Sequence, residues 1–169
     1  MGNAKVAIVM GSDSDFPVLE PCIKLLHTFG VETDVMVCSA HRTPERAADF
    51  ARNAEQNGVD VIIAAAGKAA HLPGVLAAFT VLPVVGLPIL SSTLDGLDSL
   101  LSIVQMPSGI PVATVAINGS ENAALLAVQI MGGAHPALRD RMRAYKADMA
   151  RAVEEKDRKL QARLREMKA

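Results

Sequence analysis

Short apolar runs alternate with helix-like segments along most of the chain, and this alternation constrains the fold more than any other feature. The first run and, apart from Asp60, the third run are continuously apolar, which predicts strands buried on both faces. The predicted strands cover about residues 6–10, 31–38, 59–65, 83–87 and 111–117. Strands that alternate with helices predict a parallel sheet with right-handed crossovers. We therefore predict an α/β three-layer sandwich of the flavodoxin-like or Rossmann-like kind.

Helix signals lie between these runs. Pro17 and Pro44 stand where first helical turns begin, and Gly30 stands where the first helix should end. Further helices are predicted at about residues 45–57, 72–80, 96–104 and 120–131. The apolar side of the helix at 96–104 consists of Leu97, Leu100, Leu101 and Val104. The aromatic content is only 3%, so small aliphatic side chains must build the core.

A change of composition follows Gly132–Pro136, which is the candidate hinge. We predict one α/β catalytic domain at 1–133 and a long amphipathic helix at 134–169. Its apolar side chains recur at helical spacing between charged residues. Such a stripe is too long to be buried on one small domain, so we expect it to pack on a neighbouring subunit. The alternative is a solvated tail that frays beyond about Val153.

Several classes of function are disfavoured by composition. A net charge of −1 argues against nucleic-acid binding. Cys22 and Cys38 show no metal spacing, and Cys38 lacks an orienting Asn or Asp that would favour a thiol nucleophile. Apolar runs are too short for a membrane span, and the N-terminus lacks a signal-peptide pattern, so we expect a cytoplasmic protein.

Polar loops follow the first three predicted strands. We call residues 11–15 the first loop, residues 39–43 the second loop and residues 66–74 the third loop. Ligands bind beyond the carboxyl ends of the strands in open α/β sheets. The three loops should therefore form one rim around a binding site.

The first loop precedes a helix, so free amides from Gly11 and the helix dipole suit a phosphate. It matches neither GxGxxG nor GxxxxGK[ST], which argues against a dinucleotide or a P-loop nucleotide. Asp13 and Asp15 would repel a phosphate, so one of them is expected to bind sugar hydroxyls. A capping turn is the alternative role for Asp13.

The second loop carries Ser39, His41 and Arg42. Arg42 can pair bidentately with phosphate oxygens. His41 titrates near neutral pH, which favours proton transfer on an anionic small molecule. The alternative is a set of helix-capping residues around Thr43 and Pro44.

The third loop has small residues, including Gly67, that let the main chain approach a ligand. Lys68 and His71 are its polar members, and its composition resembles a lid. His71 either contacts a ligand or only packs at a helix start. We expect no metal and no organic cofactor, because no carboxylate–histidine cluster has metal spacing.

Several segments together resemble the PurE family of purine biosynthesis, and within it the class I members. They cover about residues 5–131 in the family's order and with similar gaps. The segments are VAIVMGSDSD (6–15), SAHRTP (39–44), AAHLPG (69–74), SIVQMP (102–107), GIPV (109–112) and NAALLA (122–127).

The resemblance implies a mutase that converts N5-carboxyaminoimidazole ribonucleotide to 4-carboxy-5-aminoimidazole ribonucleotide. The implied route is decarboxylation to aminoimidazole ribonucleotide and CO2, followed by recarboxylation at C4. His41 matches the family's general acid and base, and Ser12, Asp15 and Arg42 match its substrate-binding positions. The family also implies a homo-octamer in which the C-terminal helix reaches across subunits.

One residue departs from the family pattern. Class I members usually carry a second glycine where this chain has Lys68, which either steers a carboxylate or CO2 or points to solvent. A class II-type carboxylase that uses aminoimidazole ribonucleotide and CO2 directly therefore stays an alternative. A non-catalytic nucleotide-binding homologue is another. A flavin binder is less favoured, because Phe16 is the one aromatic residue near the loops.

Overall fold

The structure is a computed structural model that describes residues 4–167. The predicted absence of an N-terminal signal rests partly on residues 1–3, which lie outside this range. The last two residues of the predicted C-terminal helix lie outside it as well.

Five parallel strands form one sheet in the order β2-β1-β3-β4-β5. The strands are β1 (Lys5–Met10), β2 (Glu32–Val37), β3 (Val61–Gly67), β4 (Val84–Ile89) and β5 (Ala113–Thr114). The chain runs outward from β1 to β2 and then crosses back to β3. This order is the flavodoxin-like one, with its switch point between β1 and β3. The predicted fold class is confirmed.

Six helices accompany the strands in the described chain: α1 (Phe16–Thr28), α2 (Pro44–Asn53), α3 (Leu72–Phe79), α4 (Leu97–Val104), α5 (Ser120–Met131) and α6 (Pro136–Glu166). A short 3-10 turn at Asp13–Asp15 precedes α1. Gly30 follows the end of α1 with a φ of +66°, a conformation that glycine adopts without steric cost. The structure ends α2 at Asn53, four residues before the predicted end, and turns follow it.

Small side chains let helices cover both faces of the sheet. α1, α5 and the start of α6 pack on one face, and α2, α3 and α4 pack on the other. Close approach is clearest at Gly86 in β4. A Cβ atom there would lie 2.4 Å from Ile103 Cγ2 and 2.8 Å from Val112 Cγ1. Glycine at this position therefore allows α4 to pack directly on the sheet.

β2 and β5 form the two edges of the sheet, and β5 is shorter than predicted. β2 is an edge strand, so Val35 and Val37 are each 42% exposed. β5 pairs over two residues instead of the predicted seven. Pro88 and Pro111 lack an N–H group, which removes donors that a longer β4–β5 ladder would need.

The predicted apolar side of α4 faces mostly outward. Leu97, Leu101 and Val104 are each 46% exposed, whereas Ser99 and Ile103 are buried. The Ser99 hydroxyl donates to the carbonyls of Ile89 and Gly96, both at 2.8 Å. These bonds satisfy the buried hydroxyl and hold α4 against the end of β4. The side of α4 that faces the sheet is therefore not its most apolar side.

The first part of α6 belongs to the core. Leu138 and Met142 are buried, and the Tyr145 ring lies 5.6 Å from the Phe29 ring. Arg141 donates to the carbonyl of Phe29. The helix beyond is exposed, including the apolar side chains of Met149, Val153, Leu160 and Leu164. In residues 4–167, no helix is long and apolar enough to cross a membrane.

Candidate active site

A cavity of about 670 Å³ opens at the carboxyl ends of the strands. Its volume suits a small-molecule ligand. All nine predicted site residues line it: Gly11, Ser12, Asp15, Ser39, His41, Arg42, Gly67, Lys68 and His71. The three predicted loops therefore meet around one space, as the parallel topology requires.

Hydrogen bonds to β3 and within the loop fix the first loop in place. The Gly11 N–H donates to the Ala65 carbonyl at 3.1 Å, which fixes the loop beside β3. Ser12 is the N-cap of the short turn, because its hydroxyl accepts from the Ser14 N–H at 3.3 Å. The N-cap residue of α1 itself is Asp15, which makes no side-chain capping bond, so the prediction that Asp13 or Ser14 caps this helix is wrong.

Asp15 is the buried acid of the first loop, with 8% of its surface exposed. Burial raises the pKa of this carboxyl, and the Asp13 charge raises it further. Hydrogen bonds from the Ser12–Ser14 turn oppose the increase. An ionised carboxylate at this position gains from a ligand hydroxyl that donates to it.

Arg42 links the first and second loops. Its Nη2 donates to the Gly11 carbonyl at 3.3 Å, and its Nε donates to the Ser39 hydroxyl at 3.4 Å. The side chain is exposed, so a phosphate in the cavity can still reach its fork. The guanidinium is thus positioned before any ligand binds.

His41 links the second and third loops. Its Nε2 lies 2.8 Å from Nδ1 of His71, and the two rings meet edge to face at 86°. A hydrogen bond at this distance requires one nitrogen to carry a proton and the other to accept it. The structure therefore brings the two loop histidines into one proton-sharing pair.

The Thr43 hydroxyl does not cap α2, although Thr43 is the N-cap residue. It donates to the Ser39 carbonyl at 2.8 Å, and the Thr43 N–H donates to the same oxygen at 2.8 Å. Both bonds close the turn that carries His41 and Arg42. The prediction that this hydroxyl caps α2 is therefore wrong. Its bond to the Ser39 carbonyl favours a role in shaping the second loop for binding.

A fourth loop was missed by the sequence analysis. Ile89, Leu90, Ser91 and Ser92 line the cavity at the end of β4. The Leu90 N–H donates to Asn118 Oδ1 at 2.8 Å, and the Ser91 hydroxyl donates to Asp98 at 2.7 Å. The signal was present, since any loop after a parallel strand opens on the same rim.

Possible metal ligands and thiols were located across residues 4–167, and both cysteines there are free and buried. No group of three His, Cys, Asp or Glu side chains in that range could hold a metal ion. Cys22 is buried, and burial raises the pKa of its thiol to about 12. Cys38 is also buried, with its Sγ 3.7 Å from the Thr43 hydroxyl.

The fold and the cavity define a class, namely a flavodoxin-like α/β protein with an exposed arginine and a hydrogen-bonded histidine pair at the cavity beyond its strand ends. Comparison with known proteins identifies the family. The family model described as AIR carboxylase matches residues 5–152. The chain therefore belongs to the AIR carboxylase family, which confirms the resemblance drawn from the sequence.

Individual relatives are similar over most of their length. A protein of Pyrococcus horikoshii named N5-carboxyaminoimidazole ribonucleotide mutase is 58% identical over 156 residues, which is 92% of this chain and 88% of that one. A Mycobacterium tuberculosis protein of the same name is 54% identical, over 93% of this chain and 90% of its own. The crystal structure of Treponema denticola PurE superposes with a TM-score of 0.84 at 32% identity, covering 94% of this chain and 99% of that one.

Proposed function

We propose that this protein is an N5-carboxyaminoimidazole ribonucleotide mutase of purine biosynthesis. Relatives with that name are 51–58% identical over most of the chain. The observation that carries the proposal is the shared cavity in which His41, Arg42 and Asp15 meet. The substrate has a phosphate, a ribose and a carboxylated amine, and each needs a different kind of partner.

The phosphate is assigned to Arg42 and the first loop. Gly11 and Ser12 line the cavity at a helix N-terminus, where anions bind well. The Gly11 N–H is paired with Ala65, so the Ser12 hydroxyl is the donor assigned here. Ser39 positions Arg42 through its hydroxyl. Asp15 is assigned to the ribose hydroxyls, because its buried carboxylate can accept from them.

The proton is assigned to His41. When the N5–carboxylate bond breaks, CO2 leaves and N5 receives a proton from His41. When C4 of the ring attacks CO2, the new C4–carboxylate bond forms and His41 takes the C4 proton back. Protons and charges therefore balance over one turnover, which general acid–base catalysis by one histidine can achieve.

His71 and the third loop close the site. His71 shares a proton with His41 at 2.8 Å, so it is placed to orient the ring as well as to contact the substrate. Gly67, Ala66 and Leu72 form an apolar wall beside this pair. A wall of this kind retains neutral CO2 between the two steps by excluding water.

One assay tests the proposal. The purified protein is incubated with N5-carboxyaminoimidazole ribonucleotide and, separately, with aminoimidazole ribonucleotide plus bicarbonate, and the C4-carboxylated product is followed. We expect rapid formation from the first substrate. Faster formation from the second would indicate a class II-type carboxylase, and binding without product in either arm would indicate a non-catalytic homologue.

We also infer a homo-octamer of cytoplasmic subunits, each with a catalytic domain at 1–133 and an α6 segment at 134–169 that packs on a neighbour. The exposed apolar stripe of α6 beyond Met142 supports this assembly. Further exposed apolar side chains on α4 and the loop before it support it too, namely Leu90, Leu94, Leu97, Leu101 and Val104. Exposed apolar surface of this extent is typical of protein interfaces.

A further inference from the structure

Lys68 lies at the cavity in an unfavourable backbone conformation. Its φ is +56°, one of four positive values among the described non-glycine residues, and it lines the cavity. A lysine held there is strained, whereas a glycine would take the same φ without cost. A residue retained at a steric cost beside a ligand site invites a functional explanation.

Neighbouring residues impose this conformation. The Lys68 carbonyl accepts from the Ala70 N–H at 2.8 Å, and the Ala69 carbonyl accepts from the His71 N–H at 2.9 Å. Ala70 is 1% exposed, and Leu72 beyond it is also buried. The anchored turn therefore fixes where the Lys68 side chain begins, at the edge of the cavity.

The Lys68 ammonium is free to bind an anion. Its side chain is exposed, and across residues 4–167 no carboxylate or hydrogen-bond acceptor engages it. Asp15 is the acid that lines the cavity, and it belongs to the first loop. A side chain without a partner of its own in this range is available to an anionic group of a ligand.

The two cationic side chains that line the cavity, Arg42 and Lys68, lie on different loops. Arg42 bonds to Gly11 and so belongs to the side formed by the first and second loops. Lys68 follows β3 on the third loop, and the His41–His71 pair joins these two sides. This arrangement suits a ligand with two anionic groups, one at each side of the histidine pair.

We propose that Lys68 is a specificity-determining residue that binds the carboxylate of the substrate while Arg42 binds its phosphate. This inference rests on the proposed mutase function. The carboxylate loses its charge when CO2 forms, so Lys68 stabilises the bound substrate more than the decarboxylation transition state. Such an interaction lowers KM without raising kcat.

The test compares Lys68→Gln with Lys68→Arg and the wild-type protein. We expect Lys68→Gln to raise KM for N5-carboxyaminoimidazole ribonucleotide about fivefold and to raise kcat by up to the same factor, because the lost contact is stronger in the bound substrate than in the transition state. Its Kd for aminoimidazole ribonucleotide, which lacks the carboxylate, should stay within twofold of wild type. Lys68→Arg retains a cation and should keep KM within twofold.

Lys68→Gly separates charge from backbone strain. It should show the raised KM of Lys68→Gln, yet unfold about 2 °C higher than the wild type because the strained φ is relieved. A KM unchanged in both Gln and Gly variants would overturn the proposal. An equal loss of affinity for aminoimidazole ribonucleotide would do so as well.

These outcomes are distinct from failure of the proposed function. A wild-type protein that neither converts N5-carboxyaminoimidazole ribonucleotide nor binds aminoimidazole ribonucleotide overturns both proposals. A wild-type protein that converts it, with a Lys68→Gln variant of the same KM, overturns only the role of Lys68.

Discussion

His41 and Arg42 are adjacent in the chain but contact opposite sides of the cavity. Arg42 turns back toward Ser39 and Gly11, whereas His41 reaches forward to His71. The divergence follows from the tight turn that the Ser39 carbonyl closes just before α2 begins. One short turn thus presents both the proposed anion anchor, Arg42, and the proposed proton carrier, His41.

Replacing His41 should separate chemistry from binding. We expect His41→Asn to abolish turnover while the Kd for the nucleotide changes by no more than a few fold, because asparagine fills similar space without titrating. Product formation and isothermal titration measure the two quantities. His27→Asn is the matched control, since His27 contacts Thr33 away from the cavity and should leave turnover intact. Full activity of His41→Asn would contradict the acid–base role.

The ionised Asp15 carboxylate should lower the stability of the folded protein. Because burial raises its pKa above the ordinary value of 3.8, the folded state binds this proton more tightly than the unfolded state does. The ionised carboxylate therefore lowers the free energy of unfolding. This loss is absent below pH 3.8, grows as the pH rises toward and through the folded pKa, and is complete above it. We expect Asp15→Asn to unfold at a higher temperature than wild type at pH 7 but not at pH 3.5.

The same variant should bind the ribonucleotide more weakly, since an amide is a poorer acceptor for ribose hydroxyls. Thermal unfolding at several pH values and a binding titration measure both effects. Asp157→Asn is the control, because Asp157 is exposed on α6 and accepts only from Gln161. A stability difference between Asp15→Asn and wild type that does not vary with pH would contradict the assignment.

At the scale of elements, the site depends on strand ends rather than on any one motif. Four neighbouring parallel strands end at the same edge of the sheet. Because strands are about 4.8 Å apart, the loops that follow them lie side by side. The second loop leaves an edge strand and still contacts the third loop, passing over the first. Cross-loop bonds of this kind hold the rim together.

The outer part of α6 should be needed for assembly and not for folding. Residues through Tyr145 pack on the core, so a chain that stops after Asp148 keeps those contacts. We expect this shortened chain to keep a single cooperative thermal unfolding transition but to assemble into fewer subunits, as measured by light scattering. The exposed stripe of apolar side chains is the physical reason, because its removal deletes the proposed contact.

A point variant sharpens this experiment. Val153→Glu places a charge on the stripe and should also lower the number of subunits, whereas Ala162→Glu, on the opposite side of the same exposed helix, should not. An unchanged number of subunits in both the shortened chain and Val153→Glu would show that α6 is a solvated tail.

At the scale of the whole molecule, ligand binding should stabilise the fold by mass action. The 4-carboxylated product at 100 times its Kd should add about 2.7 kcal/mol to the free energy of unfolding. For a chain of this length, that corresponds to a rise in Tm of about 5–10 °C. Differential scanning fluorimetry with and without the product measures it.

Arg42→Gln is the informative comparison for this measurement. Loss of the ion pair between Arg42 and the ligand phosphate should weaken binding by about 2–3 kcal/mol. Most of the rise in Tm should therefore vanish at the same ligand concentration. Glu45→Gln, on the exposed first turn of α2 and outside the cavity, should keep the full rise. A full rise in Arg42→Gln would contradict the role of Arg42 as the phosphate anchor.

Much of this molecule follows from local pattern. The uninterrupted apolar runs of β1 and β3 are buried on both faces, and the alternation with helices yields the parallel sheet. Parallel strands must end at one edge, so the meeting of the first three loops was predictable residue by residue. The fourth loop follows the same rule and was missed only because the rule was not applied to β4.

Other features depend on contacts between segments far apart in the chain. Which side of α4 faces the sheet was settled by Ser99 bonding to the end of β4, and hydrophobic periodicity does not encode such a bond. The His41–His71 hydrogen bond joins residues thirty positions apart across an intervening strand. Sequence alone determined which residue types stand at each strand end, because strand and helix signals are local. Only the tertiary structure decided which of those side chains touch, because their distances depend on how all the layers pack.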